Sequence, residues 1–139
     1  DAGALCETLE TATDWANVPR LKKAVGDALA STLNPSGTMV LIMCHISHVY
    51  AEGCSLYFTV VAAQQGDPVV QWRTAKQAVT EALTDNGGTV THHHAVGNDH
   101  RPFMDAEIGE LGVSVLQAVK KRLDPAGIMN PGTLVGASR

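Results

Sequence analysis

The apolar positions of this chain follow two periodicities in turn. Ala4 to Thr13 sets Leu, Cys and Thr against outward acids in near alternation, which predicts a short edge-like strand. From Trp15 to about Leu33 the residues Leu21, Val25, Ala28 and Leu29 recur at helical spacing; Pro19 is tolerated in the first turn, and Asn34-Pro35 stops the run. Gly37 then releases Thr38 to Tyr50, a long run rich in Val, Ile and Met, and Ala51-Glu52-Gly53 turns it back into Cys54 to Ala63. These read as two adjacent antiparallel strands. A second helix is bounded by Asp67-Pro68 and by Asn86-Gly87-Gly88, with a stripe of Trp72, Ala75, Val79, Ala82 and Leu83.

Thr89 to Val96, β-branched around His92, His93 and His94 and closed by Gly97, predicts a fourth strand. A last helix begins near Pro102 to Asp105, carries Ile108, Leu111, Val115 and Val119 on one face, and places Lys120, Lys121 and Arg122 at its negative dipole end. Asp124-Pro125 ends it, and residues 126–139 are too rich in Gly and Pro for more than an extended tail. The order β-α-β-β-α-β defines an α+β fold of the ferredoxin-like, split type: a four-stranded antiparallel sheet with two helices on one face, followed by an additional C-terminal helix. The other sheet face then needs a cover, whether the last helix, a further domain, a second copy of the chain in a homodimer, or a ligand.

Composition narrows the classes. With 139 residues, 45% apolar and 17% charged, the chain can bury one sizeable core, and it is read as one domain, 1–139. A net charge of −4 without any run of like charge argues against a nucleic-acid partner. His45 and His48 interrupt the best apolar run, Met39 to Tyr50, well short of the roughly 18 to 20 residues of a transmembrane segment. Cys6, Cys44 and Cys54 form no CxxC pair and no even framework, which fits a reducing, cytoplasmic compartment. A chain that opens on Asp1 is expected to be a piece of a longer protein.

The histidines are clustered: His45 and His48 end one strand, and His92 to His94 fill another. In an extended strand His92 and His94 share a face and His93 takes the other, so at most two of them serve one site. They are polar ends of half-buried strands, hydrogen-bonded to backbone, or, with Cys44, His45, His48 and Glu52 as further donors, ligands for zinc; no pair has metal-finger spacing. Tyr50 at the turn is a packing aromatic, or a base if an imidazole or flavin neighbour perturbs it strongly. Trp15, Tyr57 and Trp72 fall on periodic core faces and are assigned to packing. Ser47 and Ser55 lie near histidines without the strained turn of a serine hydrolase. By itself Asn130-Pro131-Gly132 is a turn signal.

Three blocks carry a resemblance: Cys44-His45-Ile46-Ser47-His48-Val49-Tyr50 with Glu52-Gly53-Cys54; Gly87 through His92-His93-His94 to Gly97; and Leu123-Asp124-Pro125-Ala126-Gly127-Ile128-Met129-Asn130-Pro131-Gly132. Together, over about Leu9 to Leu134, the chain resembles the C-terminal domain of FAD-linked oxidases, and within that family the ether-lipid synthase branch, which exchanges an acyl chain for a fatty alcohol on a glycerone phosphate.

The resemblance implies FAD held largely by an N-terminal domain outside this chain, with the present domain capping the flavin and forming the pocket for a small-molecule or lipid substrate. It implies catalytic roles for Tyr50, His92, His93 and His94, cofactor contacts from His93, His94 and Asn130, substrate contacts from His48, His100 and Arg101, and no metal. A lipid substrate also implies a membrane-peripheral location. The chain departs from the synthase pattern after the triplet, where Ala95-Val96-Gly97 leads into Asn98, Asp99 and His100 with Arg101 shifted by one place. Relative to the 2-hydroxyacid dehydrogenase branch, His93 stands where a glutamate is expected and Tyr57 where a histidine is, so only His48 and His94 would remain of that branch's metal set. The alternatives are an FAD-dependent dehydrogenase or oxidase of a 2-hydroxy acid or alcohol, and a free-standing ferredoxin-like binding module.

Overall fold

The computed structural model describes residues 3–35 and 39–136; Gly37 and Thr38, where the sequence predicts a strand to open, lie outside the described residues. The elements are β1 (Ala4–Asp14), α1 (Val18–Leu33), β2 (Val40–Val49), β3 (Gly53–Ala63), α2 (Pro68–Asp85), a 3-10 turn (Arg101–Phe103) and α3 (Met104–Leu123). The chain divides into two compact units, Asp1–His94 and Ala95–Arg139.

In the first unit an antiparallel sheet runs in the order β1-β3-β2. Leu9 pairs Phe58 and Thr11 pairs Leu56 on one side of β3, while Cys44 pairs Phe58 and Ile46 pairs Leu56 on the other. Strand alternation therefore puts Leu5, Leu9, Leu56, Phe58, Val60 and Ala62 on one face, where they pack with Leu21, Val25, Leu29 and Leu33 of α1 and Ala75, Val79 and Leu83 of α2. Phe58 is 1% exposed and Leu21, Val25 and Leu29 not at all; burying each such side chain contributes roughly 1.5 to 3 kcal/mol. Cys44 and Cys54 belong to this apolar side, and burial pushes both thiols up, as suits packing groups.

Both helices of this unit end where their sequences predict. The Asp67 carboxylate caps α2 by accepting from the Val69 and Val70 amides at 2.8 and 3.3 Å. At its other end Gly87, with φ +71°, lets the Gly88 amide return to the Leu83 carbonyl at 2.9 Å. Trp72 packs against the core as expected, whereas Trp15 is 42% exposed and turns its indole N–H to the Tyr50 carbonyl, 3.2 Å away. Trp15 thus braces the hairpin tip instead of filling the core.

The α+β order and the extra C-terminal helix are as the sequence predicts, but no fourth strand forms at Thr89 to Val96. This segment does take the place beside β1 that such a strand would occupy. The Thr89 amide donates to Ala12 and the His92 amide to Glu10, both at 3.0 Å, so the spacing slips by one residue between the two bonds. The Ala12 amide is met by the Thr89 hydroxyl at 2.9 Å instead of a ladder carbonyl. His93 then enters the left-handed region (φ 59°) and the His94 amide closes a three-residue turn onto the His92 carbonyl at 2.8 Å, which ends any strand.

In the second unit α3 is interrupted at Gly109 (φ 75°, ψ 158°). Its predicted apolar face is not buried: Leu111 is 79% exposed, and Ile108, Val115 and Val119 are exposed as well. The segment read as an extended tail is a series of turns held by Asp124, whose carboxylate accepts from the Ile128 and Met129 amides at 3.1 and 3.0 Å and from Lys120. The Lys120 bond, with the Met129 and Ile128 amides, holds this carboxyl below the usual aspartate range against the opposing effect of burial.

Candidate functional site

On the sheet face opposite α1 and α2, Glu10 of β1 is the residue around which the polar groups gather. It is 5% exposed although it stands on the polar face, because side chains from β2, β3 and the segment after α2 close over it. Tyr57 is its cross-strand partner. Glu10 Oε1 accepts from the Ser47 hydroxyl and lies 3.4 Å from His48 Nδ1 and 3.3 Å from His92 Nδ1; Oε2 lies 3.4 Å from His94 Nε2. Burial pushes this carboxyl up, but the polar contacts with Ser47, Ser55 and His92, and the imidazole of His92 beside it, outweigh that effect and hold it below the usual glutamate range.

A β-bulge supplies two of these neighbours. Ile46 pairs Leu56 and Val49 pairs Cys54, so Ser47 and His48 together face the single residue Ser55. The His48 amide donates to the Ser55 hydroxyl at 2.9 Å, and the Ser47 and Ser55 oxygens are 2.6 Å apart. Since an ionised carboxylate only accepts, Ser47 donates to Glu10 and its oxygen is left to accept from Ser55. Without the extra residue, strict alternation would turn His48 toward the core side.

The left-handed turn at His93 does the same for the triplet. His92 and His94 both reach Glu10, and His93 packs its ring on His92 and His48, with centroids 4.0 and 4.8 Å apart. The strand rule that allows at most two of the three in one place does not apply to a turn. Beyond them, the Tyr50 hydroxyl lies 2.9 Å from His92 Nε2, and Tyr57 meets the edge of His94 and stacks on His45. Tyr50 also borders a shallow cleft of about 360 Å³ bounded by Thr13, Glu52, Cys54 and Thr89. Tyr57, assigned to packing by its periodicity, is half-buried in the polar cluster.

One ring nitrogen each from His48, His92 and His93 lies within 4.8 Å of the others, which is as near as the described residues come to a metal set. Cys44 is on the core side of β2 and is not part of it. The remaining residues that sequence singles out belong to the second unit. His100 is buried there with Nδ1 3.2 Å from the Ala95 carbonyl, Arg101 donates to the Gly132 carbonyl at 2.5 Å, and the exposed Asn130 (φ 43°) accepts from the Thr133 hydroxyl at 2.8 Å. Sequence reasoning missed Glu10, Ser47 and Ser55 as members of the cluster. In sequence Glu10 is one of two acids, with Glu7, inside a strand of alternating character, and it becomes meaningful only when the strands are paired.

A two-layer α+β sheet whose polar face gathers a carboxylate, imidazoles and a phenol defines a domain with a hydrogen-bonded acid–base cluster on its sheet. Comparison with known proteins gives that class its family. The model described as FAD linked oxidases, C-terminal domain, matches residues 1–134, and the chain belongs to this family. It is 34% identical over 131 residues to an alkyldihydroxyacetonephosphate synthase of Trypanosoma brucei brucei and 31% identical over 130 residues to that of Dictyostelium discoideum, in each case over 93% of this chain and 21% of the relative. A solved structure of alkyldihydroxyacetonephosphate synthase superposes with a TM-score of 0.62 at 25% identity, over 93% of this chain and 21% of that one. The chain therefore spans about a fifth of the length of these relatives. FAD is the cofactor that membership of the family implies. No described helix is long and apolar enough to cross a membrane.

Proposed function

We propose that this chain is the substrate-facing cap domain of an FAD-dependent enzyme that exchanges the acyl chain of an acylated glycerone phosphate for a fatty alcohol, releasing the fatty acid. The observation that carries the reading is the Tyr50 hydroxyl at 2.9 Å from His92 Nε2, with His92 backed by the buried Glu10. A phenol has an ordinary pKa of about 10 and needs an acceptor to act as a base near neutrality. His92 Nε2 is placed to take the Tyr50 proton, leaving Tyr50 Oη to remove one from the substrate carbon beside the carbonyl.

The residues present suit a flavin. His93, packed on His92 and His48, and His94, against Tyr57, are exposed and offer flat rings and ring nitrogens on the sheet face. Within the first unit, His93 and His94 would contact FAD and His48 would contact the substrate. When bound, FAD supplies an electrophilic ring that supports the exchange with no net redox change. The imidazoles would stabilise the enolate oxygen that develops as the proton leaves.

A second reading is an FAD-dependent oxidoreductase of an alcohol or 2-hydroxy acid. It is favoured by the make-up of the cluster around Glu10, a carboxylate with imidazoles, hydroxyls and phenols, without a fixed cation for a phosphate. The test uses the full-length protein carrying this domain, incubated anaerobically with palmitoyl-dihydroxyacetone phosphate. Bleaching of the flavin absorbance with release of palmitate supports the synthase reading. Bleaching only with a 2-hydroxy acid or alcohol transfers the conclusion to the second.

A further inference from the structure

We infer that Glu10 is a positioning residue: one buried carboxylate sets the tautomers of His92, His94 and His48, and so keeps His92 Nε2 free to accept from Tyr50. Three ring nitrogens face its two oxygens, His92 Nδ1 at 3.3 Å and His48 Nδ1 and His94 Nε2 at 3.4 Å each. An ionised carboxylate has no hydrogen to give, so a neutral imidazole turned toward it is favoured with its proton on the facing nitrogen. A bare lone pair there would point at a buried negative charge across little more than a van der Waals contact. His92 then carries its proton on Nδ1, His94 on Nε2 and His48 on Nδ1, and each ring presents its unprotonated nitrogen away from Glu10.

The consequence is sharpest at His92. Its Nδ1 is buried and makes no aligned hydrogen bond, so the electrostatic attraction to Glu10 is what holds its proton in place. Its Nε2 is 2.9 Å from the Tyr50 hydroxyl, and only the Nδ1–H tautomer lets that nitrogen accept. Ser47 fixes the carboxylate in turn, by donating to Oε1 from the bulge. Glu10 itself touches neither substrate nor cofactor in this account and acts through His92. The tautomers stand independently of the reaction; their effect on turnover rests on the synthase reading above.

The test is nitrogen NMR of the full-length flavoprotein labelled with ¹⁵N-histidine, with His92→Gln used to assign the His92 signals. In the wild type, His92 is expected to show a protonated Nδ1 and an unprotonated Nε2. Glu10→Gln, whose amide can donate to Nδ1, should move the proton toward Nε2, while Glu10→Asp keeps a carboxylate and should retain the wild-type tautomer. With acylated glycerone phosphate as substrate, Glu10→Gln should lower kcat by roughly 10²- to 10⁴-fold with little change in KM or FAD content, and Glu10→Asp should recover part of the loss. A wild-type His92 protonated at Nε2 overturns the inference without any variant having to fold. So does a His92 tautomer unchanged in Glu10→Gln. If the wild type fails to turn over the acyl substrate, the reading of the reaction fails, and the tautomer result still decides the role of Glu10.

Discussion

The Tyr50 hydroxyl and His92 Nε2 are 42 positions apart in the chain and 2.9 Å apart in space. The contact joins the tip of the β2–β3 hairpin to the segment that follows α2, and it is held from both ends. The Tyr50 amide donates to the Gly53 carbonyl at 2.8 Å, and its carbonyl receives the Trp15 indole; the His92 amide is bonded to Glu10 of β1.

Removing the phenol oxygen alone tests what this contact does. Tyr50 is half exposed, so Tyr50→Phe leaves packing intact and should shift the melting temperature of the full-length enzyme by no more than a few degrees. Turnover should fall by about 10²-fold or more. Activity surviving within severalfold would remove Tyr50 from the reaction.

The depressed pKa of Glu10 has a definite sign in the stability curve. A carboxylate favoured by the fold contributes stability that is fully present above the unfolded pKa, about 4.3, and is lost as pH falls through the lower folded value. Glu10→Gln should therefore be less stable than the wild type at pH 7, and the gap should narrow as the solution is acidified below pH 4. Denaturant titrations followed by the fluorescence of Trp15 and Trp72 measure it; a gap that widens on acidification contradicts the assignment.

The backbone at His93 is strained for any residue with a Cβ (φ 59°). His93→Gly and His93→Ala both delete the ring, so comparing them isolates the backbone, and the glycine variant should be the more stable by about 1 kcal/mol. Equal stabilities would mean that the turn relaxes in the absence of the imidazole.

Gly53 is required by space and not by φ. A Cβ there would lie 2.1 Å from the Thr13 carbonyl oxygen and 2.9 Å from Asp14 Cα, both backbone atoms of the paired strand. Gly53→Ala must push β1 away from β3 at the end nearest Tyr50, and should cost roughly 1 to 3 kcal/mol or more in a chemical unfolding titration. An alanine accommodated without loss would show that this end of the ladder is slack.

In the second unit, Asp124→Ala removes the acceptor that gathers the Ile128 and Met129 amides and Lys120. Hydrogen exchange of those two amides should speed up markedly, while exchange in β3, which lies in the other unit, should be unchanged. Unaltered protection at residues 128 and 129 would mean that other contacts hold the turn.

Much of this molecule is legible in one dimension. The periodicity of Leu21, Val25 and Leu29, the capping pair Asp67-Pro68, the Asn86-Gly87-Gly88 stop and the Ala51-Glu52 turn determine which segments are helix and which are strand, because each rests on interactions between near neighbours. The motif blocks around His48, the histidine triplet and Asp124 likewise carry the family. Tertiary structure decided how the candidate residues are assembled. Alternation predicts where a regular strand points its side chains, but Ser47 and His48 share a face through a one-residue bulge, and the triplet converges through a left-handed turn that replaces the expected fourth strand. Glu10 had no distinguishing neighbour in sequence, since Ser47, His48, Ser55, His92 and His94 reach it only once three strands and the segment after α2 are paired. A buried carboxylate is tolerated only where polar groups from elsewhere in the chain meet it, and those partners are a property of the assembled sheet.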